Sequence, residues 1–514
     1  LSFMPPTAPF RIGSAADSGL SGAWAYVAWG IVLLAVALRL PQPLHGDTAL
    51  FVTMARGMQQ GQYLYREIWD IKPPGVIFFY FTAGRTFGFS LMALRFFEAL
   101  YQLSLCAILV HSLRSIFTNR SVLWLIPVLT CGTYYAIASS WFLGQPEALA
   151  SPLIALSVVS AFRASSGPAS VKWSAVSGLF AGIAILVKPV FVLIPLSSWC
   201  LAAWWIYRSS GVTQVFRCAL LIAATSLAPL GLTGAAFFLD GELALLMRLL
   251  FIEPLIMAKN VEPKLWVLRE SLEWALRFAP AVLAGFSLAW WRADTRSRRF
   301  LLLLGCWIAA TMIVIGVQIQ SWWSYHFVLF VWPCALIVAS GVQAMLDYKS
   351  RLGRQFALLI LALWFVQWLV LRHPVQAIAQ VGYPRDSDSL VAYQIALDDP
   401  NGPIRKYLKE TIGVRGTVPA NGRIFVFGNP LVYYLTESLQ AVRLHGWTTE
   451  FYGQDQWTEL ASELRKCVPY RIYVGRAAEL MTRDHPEIGE LLARRYSVMP
   501  QVGEGLWYKR IETP

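Results

Sequence analysis

Charge is what this chain has least of. Only 14% of its 514 residues are Asp, Glu, Lys or Arg, where ordinary soluble proteins carry roughly a quarter. With 56% hydrophobic residues and a mean hydropathy of +0.51, a soluble globule is excluded. The usual signatures of metal and redox chemistry are also missing. The seven cysteines form no Cys-x-x-Cys pair, and only Cys467 lies outside an apolar run. Neither a disulfide framework nor a zinc site is expected. No glycine-rich phosphate loop or dinucleotide fingerprint occurs. No basic module interleaved with aromatics occurs either, so nucleic acid is not an expected partner.

Apolar runs of membrane-crossing length fill the first 370 positions instead. Eleven spans are predicted, near 22–40, 94–113, 121–140, 147–162, 173–187, 190–207, 218–238, 273–291, 300–317, 326–344 and 355–371. The stretch 75–90 is apolar but interrupted by Gly75, Gly84, Arg85 and Gly88, and reads as a helix lying at the interface. The first run is too long for a signal-peptide core and no small-residue cleavage site follows it, so it is expected to be a retained anchor. Past Arg372 the composition becomes mixed. Residues 1–371 hold 26 Lys and Arg against 14 Asp and Glu, and residues 372–514 hold 17 against 16.

The basic excess therefore belongs to the membrane half, where it orients the chain. Alternate short loops carry Arg114 and Arg120, Arg163 and Lys172, Arg208 and Arg217, the group Arg292 to Arg299, and Lys349 to Arg354. Asp294 and Asp347 are the only acids among them. By the positive-inside rule these loops are cytoplasmic, as is the segment 1–21. The opposite face receives 41–93, the Lys188-Pro189 turn, 239–272, the aromatic group Trp322, Trp323 and Tyr325, and the whole tail. The expected fold is an all-α polytopic membrane domain over 22–371 with outer juxtamembrane helices, followed by a small α/β domain over 372–514. In that tail Arg423–Gly428 and Tyr470–Val474 read as strands, a helix runs through Leu435, and Tyr496–Lys509 reads as a hairpin. No chemistry is assigned to it.

Charge next to a bilayer is costly and is commonly kept where it has a function. Directly after the first span come His45-Gly46-Asp47 and then Trp69-Asp70-Ile71-Lys72-Pro73-Pro74. Two readings of Asp47 are open: a helix cap over the periodic stretch 48–60, or a reactive carboxylate. Lys72 is either a snorkelling lysine before a proline-initiated helix or an anion ligand. Glu147, after Gly144-Gln145-Pro146, either complements a helix dipole or is a second functional carboxylate. Arg95 either pairs with Glu98 one turn on or faces a ligand. Lys188 and His326 have interfacial readings, and Arg248 in Leu-Met-Arg-Leu-Leu a solvated one.

Taken together the cluster resembles the GT-C membrane glycosyltransferases, in particular the protein mannosyltransferase-like proteins that use dolichyl-phosphate mannose and the lipid A aminoarabinose transferases. The resemblance rests on an acid just after the first span, on Ala55 to Gly61 with Tyr63 and Tyr65, and on Trp-Asp-x-Lys-Pro-Pro. It extends to Arg95 in Leu-Arg-Phe-Phe, to Glu147, to Lys188-Pro189, and to Tyr325-His326 before the span with Pro333. It implies transfer of one sugar from a polyprenyl-phosphate donor to a lipid, glycan or protein acceptor at the outer face of the plasma membrane. Asp47 and Glu147 would be catalytic; His45, Asp70, Lys72, Arg95, Lys188, Arg248, Tyr325 and His326 would bind substrate. The family often has two adjacent acids where this chain has Asp47-Thr48. A divalent cation held by both would lose a ligand here, while a single-carboxylate mechanism is untouched. Two other classes remain open at this point: a transporter or flippase, and a polymerase or ligase of surface glycans.

Overall fold

A computed structural model describes residues 16–514 apart from 168–169, 260–265, 320–322, 398–402, 413, 415–417, 419–421, 477–483, 501–504 and 512–514. Trp322 and Gly503-Glu504 therefore lie outside the described residues, as does most of segment 1–21. Among the described residues eight helices are long and apolar enough to cross a bilayer. One of these, Pro189–Leu239, holds two spans: Gly211 at φ 80°, ψ 177° breaks it, in a backbone region open essentially to glycine alone. The apolar helix Ala23–Arg39 and residues 120–137 complete eleven. In the latter a π-helical turn, Val128–Gly132, separates Arg120–Pro127 from Thr133–Ile137.

Helix starts follow local chemistry. Ser90 caps Leu91–Leu113, Asp294 caps Thr295–Val317, and Pro146 opens Pro146–Ser166, each relieving orphan N–H groups. Pro146–Ser166 is buried along nearly its whole length and forms the axis of the bundle. Its small residues, among them Ala148, Ala150, Ser151, Ala155 and Ser157, let neighbouring helices approach closely. Ser157 and Ser177 exchange hydroxyl-to-carbonyl bonds across the fourth and fifth spans at 3.0 and 2.6 Å. The sixth and seventh spans, by contrast, turn Leu196, Trp204, Leu220, Leu227 and Leu232 outward, as suits contact with hydrocarbon.

Two short helices follow the first span, α1 (Asp47–Gln59) and α2 (Pro74–Phe87). At 13 and 14 residues each is about 20 Å long, short of the ~30 Å hydrocarbon core. Residues 75–90 thus do not cross, and the alternation of loop ends expected from the sequence is preserved. α2 is seated by Gly75, which lies against the Leu186 and Val187 backbone at the end of the fifth span.

The tail forms a five-stranded sheet of order β2-β1-β3-β5-β4. Its strands are β1 (Arg423–Phe427), β2 (Leu439–Gln440), β3 (Arg471–Val474), β4 (Tyr496–Val498) and β5 (Leu506–Arg510). β1 is parallel to β2 and β3, whereas β5 is antiparallel to β3 and β4. The edge strand β2 is the one strand absent from the sequence reading, and its two residues are too few to carry an alternating pattern. The sheet stands over the bundle end that carries α1 and α2. Trp69 N–H donates to the Arg443 carbonyl at 2.9 Å, and Arg56 to that of Glu437 at 3.3 Å. Tyr383, Tyr393 and Gln394 tie the connecting segment to the carbonyls of Ala37, Leu38 and Pro41 at the end of the first span.

Candidate active site

The loop leaving the first span is held before it reaches Asp47. Buried Arg39 donates to the carbonyls of Tyr135 and Ala136, and Arg95 to those of Gln42 and Pro43 at 3.3 and 2.9 Å. Gly46 then turns the chain at φ 48°, ψ −122°, and Asp47 opens α1. Its side chain makes no capping bond; Gly46 is the N-cap residue. The Asp47 Oδ1 accepts from the indole Nε1 of Trp447 at 2.8 Å, and Oδ2 accepts from the Tyr325 hydroxyl at 3.3 Å. The capping reading of Asp47 is thereby set aside.

Lys72 sits between two carboxylates, 3.6 Å from Asp47 Oδ2 and 4.0 Å from Asp70 Oδ1. On its far side Asp70 lies 3.7 Å from His445 Nε2. Burial alone would push the Asp70 carboxyl up, but Lys72 and His445 outweigh it and hold it below the ordinary carboxylate range. Burial likewise works against the Lys72 ammonium. Asp47, Asp70 and Glu147 together still raise it above its ordinary value. The lysine is a fixed positive charge at the mouth of the bundle.

Glu147 lies deeper, at the start of the axial helix, with no exposure. Its Oε1 takes a 2.6 Å bond from Lys188 Nζ and stands 3.4 Å from His326 Nε2. Over Asp47, and over the Lys188 and His326 side chains that touch Glu147, opens a cavity of about 300 Å³. Asp47, Lys72, Lys188, Tyr325, His326 and Trp447 supply its polar wall. Trp141, Trp323, Phe451 and the loop segment Leu250 to Ala258 supply the apolar one. An apolar groove of about 660 Å³ between the fifth, sixth and seventh spans shares Pro189 with it. The cavity thus sets a cationic, hydrogen-bonding wall beside a hydrocarbon-lined groove.

The structure gathers Asp47, Asp70, Lys72, Glu147, Lys188, Tyr325 and His326 into one cluster. Four expected substrate contacts stand apart from the cavity wall: Asp70 lies buried behind Lys72, between it and His445, and three others are held elsewhere. His45 is packed on Trp141 at a ring separation of 3.7 Å, with both ring nitrogens buried and without a partner. Burial pushes its pKa down to about 4 despite Asp47. Arg95 is buried and paired with Glu98 at 3.0 Å, so its guanidinium grips the loop rather than the cavity. Arg248 is mostly exposed and pairs with Glu253 at 2.8 Å, outside the cavity and in a separate recess with Trp69. Conversely, Trp447 and His445 come from the tail, to which the sequence reading gave no chemistry. A lone Trp or His in an irregular loop carries no periodic or spacing signal. Among the described residues no three of His, Cys, Asp and Glu converge as metal ligands, and Asp47 and Asp70 are both committed to Lys72.

No protein-family model matches the chain, and no curated protein matches it. Its fold does have counterparts among solved structures. ArnT from Cupriavidus metallidurans in the apo state superposes with a TM-score of 0.59 over 97% of this chain and 99% of that one, at 12% identity. ArnT bound to undecaprenyl phosphate gives 0.58 over 96% and 99%, again at 12%. The archaeal oligosaccharyltransferase AglB from Archaeoglobus fulgidus is a looser likeness, at 0.47 and 13% identity, over 98% of this chain and 75% of that one. At such identity the ArnT likeness establishes the fold: a polytopic helical bundle of the GT-C kind, carrying a small C-terminal sheet.

Proposed function

We propose that this protein transfers a single sugar from a polyprenyl-phosphate carrier to an acceptor at the outer face of the plasma membrane. The observation that carries the reading is the cavity: a carboxylate and two lysines at its head, bordered at Pro189 by a hydrocarbon-lined groove. A lipid-linked phosphosugar has this same division of chemistry. That ArnT binds undecaprenyl phosphate supports the choice of carrier. The arginine-rich loops lie at the bundle end opposite the cavity, which favours an extracytoplasmic site.

The step needs little beyond what the residues supply. Asp47 takes the proton of the acceptor hydroxyl as its oxygen attacks the anomeric carbon. The bond from that carbon to the phosphate oxygen breaks, and its electron pair leaves with the lipid phosphate. Lys72 and Lys188 neutralise the charge that grows there. Glu147 holds Lys188 in place, and Tyr325 steadies the Asp47 carboxylate. A single displacement inverts the anomeric centre. With a phosphate acceptor, Asp47 orients rather than deprotonates. The ionisable groups lie at the two ends of the bundle and are scarce at mid-span, which favours surface chemistry over passage of a solute across it.

The test is mass spectrometry of lipid-linked sugars, glycolipids and glycoproteins in cells carrying wild-type protein, none, or Asp47→Asn. The reading predicts that the variant inserts normally, that the product vanishes and that the donor accumulates. A normally inserted Asp47→Asn protein that yields wild-type product would remove Asp47 from the chemistry.

A further inference from the structure

The tail lines the cavity through Trp447, Thr448 and Phe451, and its polar contacts with the bundle's carboxylates come from the segment between Ala441 and Thr448. Gly446 lies so close to β1 that an added Cβ would run into the Val426 carbonyl. Its own carbonyl accepts from Gly428 N–H at 2.8 Å. His445 is fixed beside it: its carbonyl accepts the Tyr452 hydroxyl at 2.6 Å, and its Nδ1 accepts the Trp447 N–H at 3.2 Å. That bond assigns the ring proton to Nε2, the nitrogen facing Asp70. The segment is thus mounted on the sheet and presents two side chains downward, Trp447 to Asp47 and His445 to Asp70. The bundle is shaped to receive the first. Gly46, adjoining Asp47, would with a Cβ crowd Trp447 at 3.1 Å and Trp141 at 3.4 Å.

We infer that Trp447 is a positioning residue of the transfer reaction, and that the tail is in this sense part of the active site. This rests on the proposed role of Asp47 as base. A carboxylate at the end of a short side chain has two free torsions. The indole N–H claims Oδ1 and leaves Oδ2 turned toward Tyr325 and Lys72, where the reaction needs it. His445 acts one step further out, through Asp70 on Lys72. The two tail contacts therefore divide their work: Trp447 governs the chemical step, His445 the hold on the donor's phosphate.

The experiment uses full-length protein in nanodiscs. The donors are undecaprenyl-phosphate-linked sugars extracted from the membranes of the producing cells, with those membranes' lipids and glycans as acceptors. Release of undecaprenyl phosphate is the readout. Trp447→Phe keeps the ring but removes the donor N–H. It should lower kcat on the order of tenfold to a hundredfold, the span of one hydrogen bond to a charged group, at an unchanged donor KM. Trp447→His restores an N–H and should recover part of the loss. His445→Gln should instead raise the donor KM. A packing role alone would produce neither the split nor the rescue. Wild-type kcat in Trp447→Phe, or equal losses in the Phe and His variants, overturns the inference. A fully active Asp47→Asn protein overturns the base assignment instead, and a wild-type protein that releases no lipid phosphate overturns both.

Discussion

Lys188 and Glu147, 41 residues apart in the chain, meet at 2.6 Å across the fourth and fifth spans. The carboxylate is wholly buried and its Oε2 has no partner, so the pair is one unit. Removing Lys188 leaves a buried anion with His326, at 3.4 Å, as its remaining partner at ion-pair distance among the described residues. Lys188→Met should cost about 3–5 kcal/mol. The double variant Lys188→Met, Glu147→Gln should recover most of that, because no charge is then stranded. Chemical denaturation in mixed micelles checks it. Additive losses would show that the two side chains do not act as a pair.

His45 predicts an acid sensitivity of a particular width. Burial holds the folded-state pKa near 4 against an ordinary 6.5. Between these values the unfolded chain takes up a proton that the folded one refuses. The stability contributed by His45 is therefore complete above about pH 6.5 and lost as pH falls toward 4, to the extent of roughly 3 kcal/mol. Asp70, whose carboxyl is held low, loses its contribution only below the ordinary carboxylate pKa, so the two windows separate. Melting temperatures of wild type and His45→Phe should diverge on acidification between pH 6.5 and 4. Parallel curves would remove His45 as the cause.

How much of this was legible in the sequence follows from the range over which each signal acts. Eleven spans and the strands β1 and β3 are local patterns of hydropathy, and they stand where the pattern put them. The cluster of Asp47, Asp70 and Lys72 was readable because all three lie in one loop next to a span. Glu147 and Lys188 were readable because alternating helices return their ends to the same face. Trp447 lies 400 residues from Asp47, and no short-range rule joins them. Arg95 had two readings in the sequence, a ligand-facing arginine and a partner of Glu98; the second is the one found, with two loop carbonyls using the rest of its guanidinium.

That guanidinium carries a prediction of its own. Arg95 holds the loop that ends in Asp47 through the Gln42 and Pro43 carbonyls. Its partner Glu98 accepts Gly144 N–H at 3.0 Å and the Tyr134 hydroxyl at 2.6 Å, just before Glu147. One buried ion pair thus fastens both loops that deliver the carboxylates. Arg95→Met should strand Glu98 and cost about 3–5 kcal/mol. Backbone exchange should rise in 40–47 and 142–147 and nowhere else in the bundle. Exchange by mass spectrometry reads this directly; uniform loosening would deny the clamp.

Gly75 gives a test that separates placement from stability. A Cβ there would meet Leu186 O at 2.5 Å, Leu186 C at 2.6 Å and Val187 N at 2.8 Å, all backbone atoms that cannot rotate away. Lys72 stands three residues before it, and Lys188 directly follows Val187. Gly75→Ala must therefore push α2 off the fifth span and part the two lysines of the cavity. The overpacking should cost about 1–3 kcal/mol, while binding of undecaprenyl phosphate should weaken by roughly tenfold or more, since two cations no longer converge on one phosphate. Gly231→Ala is the control: nothing lies within 4 Å of its Cβ, and alanine is the better helix former. Calorimetric titration of both variants with undecaprenyl phosphate decides the matter. Wild-type affinity in Gly75→Ala would mean that the lysines do not share the phosphate.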